Sequence, residues 1–335
     1  MVIIGSLIGA GFASGQEINS FFYKYGSSGI LGLLVSIILI SFIIYKVFKI
    51  AIFYNIKTYK EFLETLFKSK KHKYLNISNI TNTIINIFLV ISFFIMIAGF
   101  GAYFKQEYNM NSLIGSMILA GICFMIFMGN VEGLLKVNKY LVPTLIIFML
   151  VLGTMNISNV NLSQISNKNQ NSNIIQAIIS GVIYASYNII LLIPALITLK
   201  NKIGEKKNIY YIAIISGITL FILALIIYFL LTNITIDISI IEMPTVYVIG
   251  KYFPSFRAIY GFIILASILT TAISEGISLL ENVCKTKKSY TQFAGILCIA
   301  SVLFSKIGFS NLINLLYPVF GILGLVQIFI IIKAR

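Results

Sequence analysis

Long apolar runs separated by short polar stretches divide this chain into ten segments. Each run is close to the roughly 20 residues that an α-helix needs to cross a hydrocarbon core, and none shows the alternation typical of barrel strands. The pattern therefore predicts an all-α integral membrane protein with ten transmembrane helices. The predicted segments cover residues 2–24, 29–50, 83–104, 111–128, 139–157, 174–199, 209–231, 257–282, 290–305 and 310–332.

Two connections are long enough to contain structure of their own. In the loop 55–81, apolar residues follow helical spacing over 59–67, which predicts an interfacial helix. The loop 232–256 is unusually apolar for an aqueous segment and contains Pro244 and Pro254. We expect this second loop to pack over the helix bundle as a lid, with a disordered loop as the alternative.

The first segment is interrupted by a glycine-rich stretch that ends in a carboxylate. From Gly9 to Glu17 the sequence is Gly-Ala-Gly-Phe-Ala-Ser-Gly-Gln-Glu. Glycine weakens a helix interior, and backbone groups freed at membrane depth need protein, water or a ligand as partners. The stretch therefore predicts unwound backbone and a ligand site. Because so few residues precede Gly9, we expect a short inner half-helix or a truncated N-terminus.

The sixth segment contains a small and polar patch within its apolar run, from Ser180 to Asn188. One interpretation is close helix packing through small residues. The other is a second broken helix, because ten spans divide into two sets of five, residues 1–157 and 174–335, of which the second must be inverted. Interrupted helices at matched positions of an inverted repeat are typical of secondary transporters. On this interpretation the whole chain forms one transmembrane domain.

Composition and charge agree with a membrane protein. Hydrophobic residues make up 59% of the chain and charged residues 10%, and the mean hydropathy is +0.97. The net charge of +15 lies in short loops between apolar runs, so we expect the lipid bilayer and no nucleic acid as a partner. With the N-terminus inside, 19 of the 25 Lys and Arg residues fall on the cytoplasmic side, which predicts that both termini are cytoplasmic.

The chemistry of an enzyme is absent from the sequence. His72 is the single histidine and lies in a lysine-rich loop, and the three cysteines are scattered without metal-ligand spacing. The sequence also has no P-loop. We therefore expect no enzymatic activity, no cofactor and no direct coupling to ATP.

The stretch from Gly9 to Glu17 resembles the first-helix signature of the YkvI-like bacterial membrane proteins. This group lies within the amino acid-polyamine-organocation (APC) superfamily, whose members share the LeuT-type fold. The resemblance implies ten transmembrane helices as two inverted five-helix repeats, with helices 1 and 6 broken. It also implies a multi-pass protein of the bacterial cell membrane that transports an amino acid or a related small solute by alternating access, as a sodium-coupled symporter.

The resemblance implies a substrate site between the first and sixth helices. An amino-acid carboxylate would bind the backbone N–H groups near Gly9, Ala10 and Gly11, with Phe12 and Ser14 in the remainder of the unwound stretch. Glycines allow the backbone to approach a ligand closely, and a helix N-terminus favours an anion.

Side chains of two other segments are candidates for the same site. We expect polar contacts from Tyr184, Tyr187 and Asn188 in the sixth segment. Met96 in the third segment would form part of the wall, with ordinary core packing as its alternative.

The resemblance further implies a bound sodium ion between the first and eighth segments. Thr270 and Thr271 match the hydroxyl ligands of sodium-coupled members, Ser267 a carbonyl ligand, and Gly5 and Ile8 two first-helix carbonyls. Neutral oxygen donors suit a hard cation. The alternative is that the two threonines bond back to carbonyls of their own helix.

Two carboxylates, Glu17 and Glu275, fall within predicted spans, where an ionisable group is a functional hypothesis, and both are candidates for proton coupling. Glu17 either caps the second half-helix or contacts the substrate. Glu275 either carries a proton or is solvated in an inward vestibule. A proton-coupled carrier is therefore the alternative to sodium coupling, and a channel or a non-transporting membrane sensor is the alternative class.

Overall fold

The computed structural model describes residues 2–66, 71–129, 138–156, 159–161, 163–165, 173–200 and 206–333. Within these ranges the regular structure is helical and contains no strand. Seven of the described helices are long and apolar enough to cross a membrane, and two shorter apolar helices cover Ser112–Met128 and Tyr140–Asn156. The chain is therefore an all-helical, multi-pass membrane protein.

We number the α-helices of the described residues in chain order. They are α1 (Val2–Leu7), α2 (Ala10–Ala13), α3 (Gln16–Phe21), α4 (Ser27–Phe53), α5 (Tyr59–Leu66), α6 (Lys71–Tyr108), α7 (Ser112–Met128), α8 (Asn138–Asn156), α9 (Ile174–Leu199), α10 (Lys206–Leu231), α11 (Pro244–Tyr252), α12 (Arg257–Val283), α13 (Lys287–Phe304) and α14 (Phe309–Lys333). Residues 67 and 157, at the ends of two predicted elements, lie outside the described residues.

The first segment is broken twice, which confirms the predicted interruption. Gly9 is extended, with φ −85° and ψ −178°, and separates α1 from α2. Gly15 separates α2 from α3 with φ 79°, a left-handed conformation that favours glycine. Between them, the Ser14 hydroxyl donates to the Gly11 carbonyl at 3.0 Å. The segment is thus three short helices with two changes of backbone direction.

The prediction of a broken sixth helix is wrong, because α9 is continuous through the polar patch. The Ser186 hydroxyl donates to the Val182 carbonyl at 2.7 Å, and the Asn188 side-chain amide donates to the Tyr184 carbonyl at 3.0 Å. No glycine follows Gly181 within the patch. The side chains of Ser186 and Asn188 thus bond to their own helix, and the backbone after Gly181 has no flexible residue. Helical hydrogen bonding therefore continues across the patch.

The small residues of α9 allow close packing against two neighbours. A Cβ atom at Gly181 would overlap the Gly32 carbonyl of α4, and a Cβ atom at Gly32 would overlap the Ala177 carbonyl. Gly321 and Gly324 of α14 approach the α9 backbone in the same way. The packing interpretation of the patch is therefore confirmed, and α9 lies wedged between α4 and α14.

Both long connections contain the predicted elements. The interfacial prediction corresponds to α5, which buries Phe62 and Leu63 and whose Tyr59 hydroxyl accepts a hydrogen bond from Gln327 of α14. The lid corresponds to α11, where Thr245 donates from its backbone N–H to the Ser14 carbonyl at 2.9 Å. The connection before α12 is thus an ordered cover over the broken first segment.

We predict that Gly181→Ala destabilises the protein, because the added Cβ would overlap the Gly32 carbonyl and force α9 away from α4. The free energy of unfolding should fall by about 1–3 kcal/mol. Thermal unfolding of the detergent-purified protein, followed with a thiol-reactive dye, would measure it through the buried Cys123 and Cys298.

The matched control is Gly121→Ala in α7, where a Cβ atom meets no other atom within 4 Å. Its unfolding midpoint should equal or slightly exceed that of the unmodified protein, since alanine favours a helix over glycine. Equal midpoints for the two variants would contradict the backbone-to-backbone packing.

Candidate substrate site at the broken first helix

The Glu17 carboxylate folds back onto the break that precedes it. The residue is only 4% exposed, and its Oε1 atom lies where a Cβ atom of Gly11 would be. Its Oε2 atom accepts a hydrogen bond from the Tyr187 hydroxyl, and the Tyr184 hydroxyl and the Phe12 backbone N–H also face the carboxylate. Among the described residues, no Lys or Arg forms an ion pair with Glu17.

Four aromatic rings surround this carboxylate, and we call them the aromatic cluster: Phe21, Tyr184, Tyr187 and Tyr317. Phe21 stacks on Tyr187 with ring centroids 5.6 Å apart and meets Tyr184 edge to face at 5.3 Å. Tyr317 of α14 stacks on Tyr187 at 4.7 Å. The rings come from α3, α9 and α14, so they fix the broken helix against two continuous ones.

The aromatic cluster connects Glu17 to a second buried carboxylate. The Tyr317 hydroxyl faces Ser92 of α6, and the Ser92 hydroxyl donates to Glu275 Oε1 at 2.6 Å. Glu275 Oε2 is buried without a hydrogen-bond partner among the described residues. Five helices, α3, α6, α9, α12 and α14, therefore contribute to one buried polar cluster with a carboxylate at each end.

A cavity of about 500 Å³ with a mainly apolar surface lies between α3, α9 and α14. Phe21 lines it and also stacks on Tyr187. Amide and hydroxyl groups dominate the polar lining, which includes Gln16, Asn19, Ser20, Ser180, Ser310 and Asn314.

Two acceptor atoms at this cavity have no hydrogen-bond partner among the described residues. The Gln16 side chain is 1% exposed and donates from Nε2 to the Ser310 hydroxyl at 2.5 Å, but its Oε1 atom is unpaired. Asn19 Oδ1 is also buried and unpaired. Buried polar atoms are nearly always paired, so these two acceptors lack the hydrogen-bond partners that such atoms usually have.

The structure brings four of the predicted substrate residues together around Glu17: Gly11, Phe12, Tyr184 and Tyr187. The Glu17 carboxylate folds back against Gly11. The sequence resemblance implies the carboxylate of a substrate at this stretch. Glu17 therefore does not act as a simple cap of α3; it contacts the preceding turn and α9.

The remaining predicted substrate residues are arranged differently. Asn188 and Ser14 use their side chains in hydrogen bonds to nearby carbonyls. Ala10 and Met96 are buried in the core, while a Cβ atom at Gly9 would meet no other atom within 4 Å. The space beside Gly9 is the open side of the break.

The predicted sodium ligands lie on helices that the described contacts join only in part. Thr270 and Ser267 are buried, Thr271 is half-buried, and the Thr270 hydroxyl donates to the Ala266 carbonyl at 3.0 Å and to the Ser267 carbonyl at 3.2 Å. This bonding matches the alternative for Thr270, although a hydroxyl that donates its proton keeps lone pairs for a cation.

The helix α12, which contains Ser267, Thr270 and Thr271, packs against α2. The helix α1, which contains Gly5, packs chiefly against α8, α9 and α10, and a Cβ atom at Gly5 would meet Val142 of α8. Ile8 is buried at the end of α1. The sodium ligand set stays a prediction.

Sequence reasoning missed Gln16, Ser92 and Tyr317. Gln16 adjoins the conspicuous Glu17 and has a recognisable signal, since an uncharged amide within a predicted span also needs a partner. Ser92 and Tyr317 lie in long apolar segments without a distinctive spacing. Only the packing of α6, α12 and α14 places them beside the carboxylates.

This fold and this buried cluster define a multi-pass helical membrane protein with a polar centre. No family model matches the chain. The chain is homologous to the uncharacterized membrane protein YkvI of Bacillus subtilis (strain 168), with 29% identity over 337 residues, 97% of this chain and 91% of the relative. It is 26% identical over 330 residues to the uncharacterized protein YyaD of the same organism, covering 97% of this chain and 92% of the relative.

We predict that Tyr187→Phe destabilises the protein, because Glu17 loses a hydrogen-bond donor inside a buried site. Leaving a buried acceptor unpaired should lower the free energy of unfolding by about 1–3 kcal/mol. The thermal unfolding midpoint in detergent measures the change. Tyr210→Phe is the control, since Tyr210 is 60% exposed and should tolerate the loss of its hydroxyl. An unchanged midpoint in Tyr187→Phe would show that its hydroxyl does not stabilise Glu17.

Proposed function

We propose that this chain is a cation-coupled secondary transporter of a small solute, such as an amino acid, and that it works by alternating access. The observation that supports this function best is the twice-broken first segment, whose buried Glu17 contacts a continuous helix and whose last part lines a cavity. Irregular backbone at membrane depth is tolerated where protein buries it or where it lines a cavity, and transporters use such breaks as binding sites.

The packing of the helices supports a ten-span architecture with an inverted repeat. If α1, α2 and α3 form one interrupted span, the seven long helices and two shorter ones bring the number of spans to ten. Four of the five spans in the first half then pack against their counterparts: α1 and α3 against α9, α4 against α10, α6 against α12, and α7 against α13. We propose the LeuT-type fold of the APC superfamily, with helix 6 unbroken in this chain.

Contacts at the helix ends support the proposed alternation of the spans. Arg257 bonds the Glu107 carboxylate at 2.6 Å, and alternation assigns both residues to the same side of the membrane. Lys200 donates to Asn55 at 3.1 Å, and alternation assigns these two residues to the other side. Because the excess of Lys and Arg marks that second side as cytoplasmic, we propose a bacterial cell-membrane protein with both termini cytoplasmic, without enzymatic activity.

Sodium is the first candidate for the coupling ion. The proposed ligands are the carbonyl oxygens of Gly5, Ile8 and Ser267 and the hydroxyls of Thr270 and Thr271. Buried Ser267 and Thr270 on α12, which packs against α2, support a site near the break. One sodium ion moving down a potential of 100 mV supplies about 2.3 kcal/mol for uphill transport.

Protons are the second candidate, because of the environment of Glu275. This carboxylate is 9% exposed, one of its oxygens accepts from Ser92, and the other has no partner among the described residues. A carboxylate with an unpaired buried oxygen is suited to bind and release a proton during the transport cycle.

Uptake into proteoliposomes tests the transporter against the alternatives of a channel and a non-transporting sensor. We expect saturable uptake of at least one radiolabelled solute from a panel of amino acids and amines, accumulated against its gradient when a sodium or pH gradient is imposed. Linear flux without accumulation would favour a channel, and absence of flux would favour a sensor.

Two sets of variants assign the coupling ion. Under sodium coupling, Thr270→Ala combined with Thr271→Ala should abolish the sodium dependence of uptake, since two ligands are removed. Under proton coupling, Glu275→Gln should abolish the response to a pH gradient.

The control for these variants is Thr219→Ala in α10, where the hydroxyl makes the same kind of bond to the Ile215 carbonyl. Its ion dependence should match that of the unmodified protein. If the double threonine variant keeps full sodium dependence, the proposed sodium ligands are wrong.

A further inference from the structure

We propose that the substrate is an organic amine whose ammonium group pairs with Glu17, and that the substrate needs no carboxylate of its own. This inference rests on the proposed transport function and names its substrate class. It departs from the binding mode implied by the sequence resemblance, in which the substrate supplies the carboxylate and the glycine stretch supplies the N–H groups.

The first argument is that an internal carboxylate occupies the position of the expected anion. Glu17 lies directly against Gly11, and the Phe12 backbone N–H faces it. A substrate carboxylate placed at the same turn would meet a second negative charge in a buried site. Like charges in such a site strongly disfavour each other, so a zwitterionic amino acid fits poorly unless Glu17 moves away or is neutralised.

The second argument is that Glu17 has hydrogen bonds but no cation. Its hydrogen-bonding neighbours are hydroxyl and backbone N–H groups, and no described Lys or Arg pairs with it. A buried carboxylate without a counter-charge is costly at membrane depth, and an ammonium group would provide that charge.

The aromatic cluster adds apolar surface beside the carboxylate. Tyr187 stacks on Phe21 and on Tyr317, and it meets Tyr184 edge to face with ring centroids 5.4 Å apart. Because two rings stack on Tyr187, the cluster offers packing surface and not a free ring face for a cation. The cluster thus complements the apolar part of an amine, and Glu17 complements its charge.

Two buried side chains next to Glu17 provide the third argument, because their unpaired atoms are acceptors. Gln16 Oε1 and Asn19 Oδ1 lack partners among the described residues, and both would accept N–H groups of an ammonium ion once a side-chain movement exposes them. Lys24 lines the neighbouring cavity and would repel an ammonium ion there, so the inference rests on Glu17 and these two acceptors and not on the cavity as an entry path.

Binding to the full-length protein in detergent tests this inference without transport. The probes are matched pairs that differ by a carboxylate: ethylamine and alanine, isoamylamine and leucine, phenethylamine and phenylalanine, and agmatine and arginine. N-acetylleucine, which has a carboxylate and no ammonium group, completes the set. Ligand-dependent shifts of the unfolding midpoint and isothermal titration calorimetry give the dissociation constants.

We expect at least one amine to bind about tenfold or more tightly than its matched amino acid, and N-acetylleucine not to bind. Glu17→Gln keeps the shape of the side chain and should weaken amine binding by about tenfold or more. Glu64→Gln, which changes an exposed carboxylate on α5, should leave it unchanged.

Amino acids that bind more tightly than their amines would overturn the inference, as would amine binding that Glu17→Gln leaves unchanged or an absence of amine binding throughout the panel. The comparison of paired probes uses the unmodified protein, so it decides the question even if Glu17→Gln fails to fold. Gradient-driven uptake of amino acids alone would overturn the amine and retain the transporter. Amine binding that depends on Glu17, in a protein that shows no uptake, would retain the amine site and overturn the transporter.

Discussion

Backbone groups released at membrane depth must find partners inside the protein, and this constraint organises the structure around the first segment. The Ala13 carbonyl accepts hydrogen bonds from the hydroxyls of Thr245 and Tyr260, and the Ser14 carbonyl accepts from the Thr245 backbone N–H. The partners come from α11 and α12, far away in the sequence. The lid and α12 therefore stabilise the break, and the break in turn fixes where both can pack.

The neighbouring helix α9 meets the same constraint by remaining continuous. Ser186 and Asn188 bond to carbonyls of their own helix, and glycines at its interfaces bring α9 into backbone contact with α4 and α14. A rigid helix thus presents Tyr184 and Tyr187 to a segmented one. In the proposed transport cycle, such a pairing allows the short helices to rearrange around a fixed wall, with Glu17 exchanging its contacts on the segmented side.

The sequence was informative wherever a local pattern had a local physical cause. The two glycines at positions 9 and 15 interrupt the first segment because extended or left-handed backbone occurs there, and helical spacing over α5 predicted its amphipathic helix. The prediction of a broken sixth segment was wrong because small and polar residues occur both in broken helices and in closely packed continuous ones. Its local composition is the same whether Gly181 permits unwinding or close approach to Gly32, and only the position of α4 decides between them.

By itself, therefore, the sequence determined the membrane class, the approximate spans, the break in the first segment and the two buried carboxylates, because hydropathy, glycine content and charge are properties of single segments. The tertiary structure alone decided that Glu17 folds back over Gly11 to meet Tyr187, and that Ser92 and Tyr317 connect it to Glu275. These contacts join residues far apart in the sequence, as Ser92 and Glu275 lie 183 positions apart. Their geometry depends on how five helices pack, which no single segment specifies.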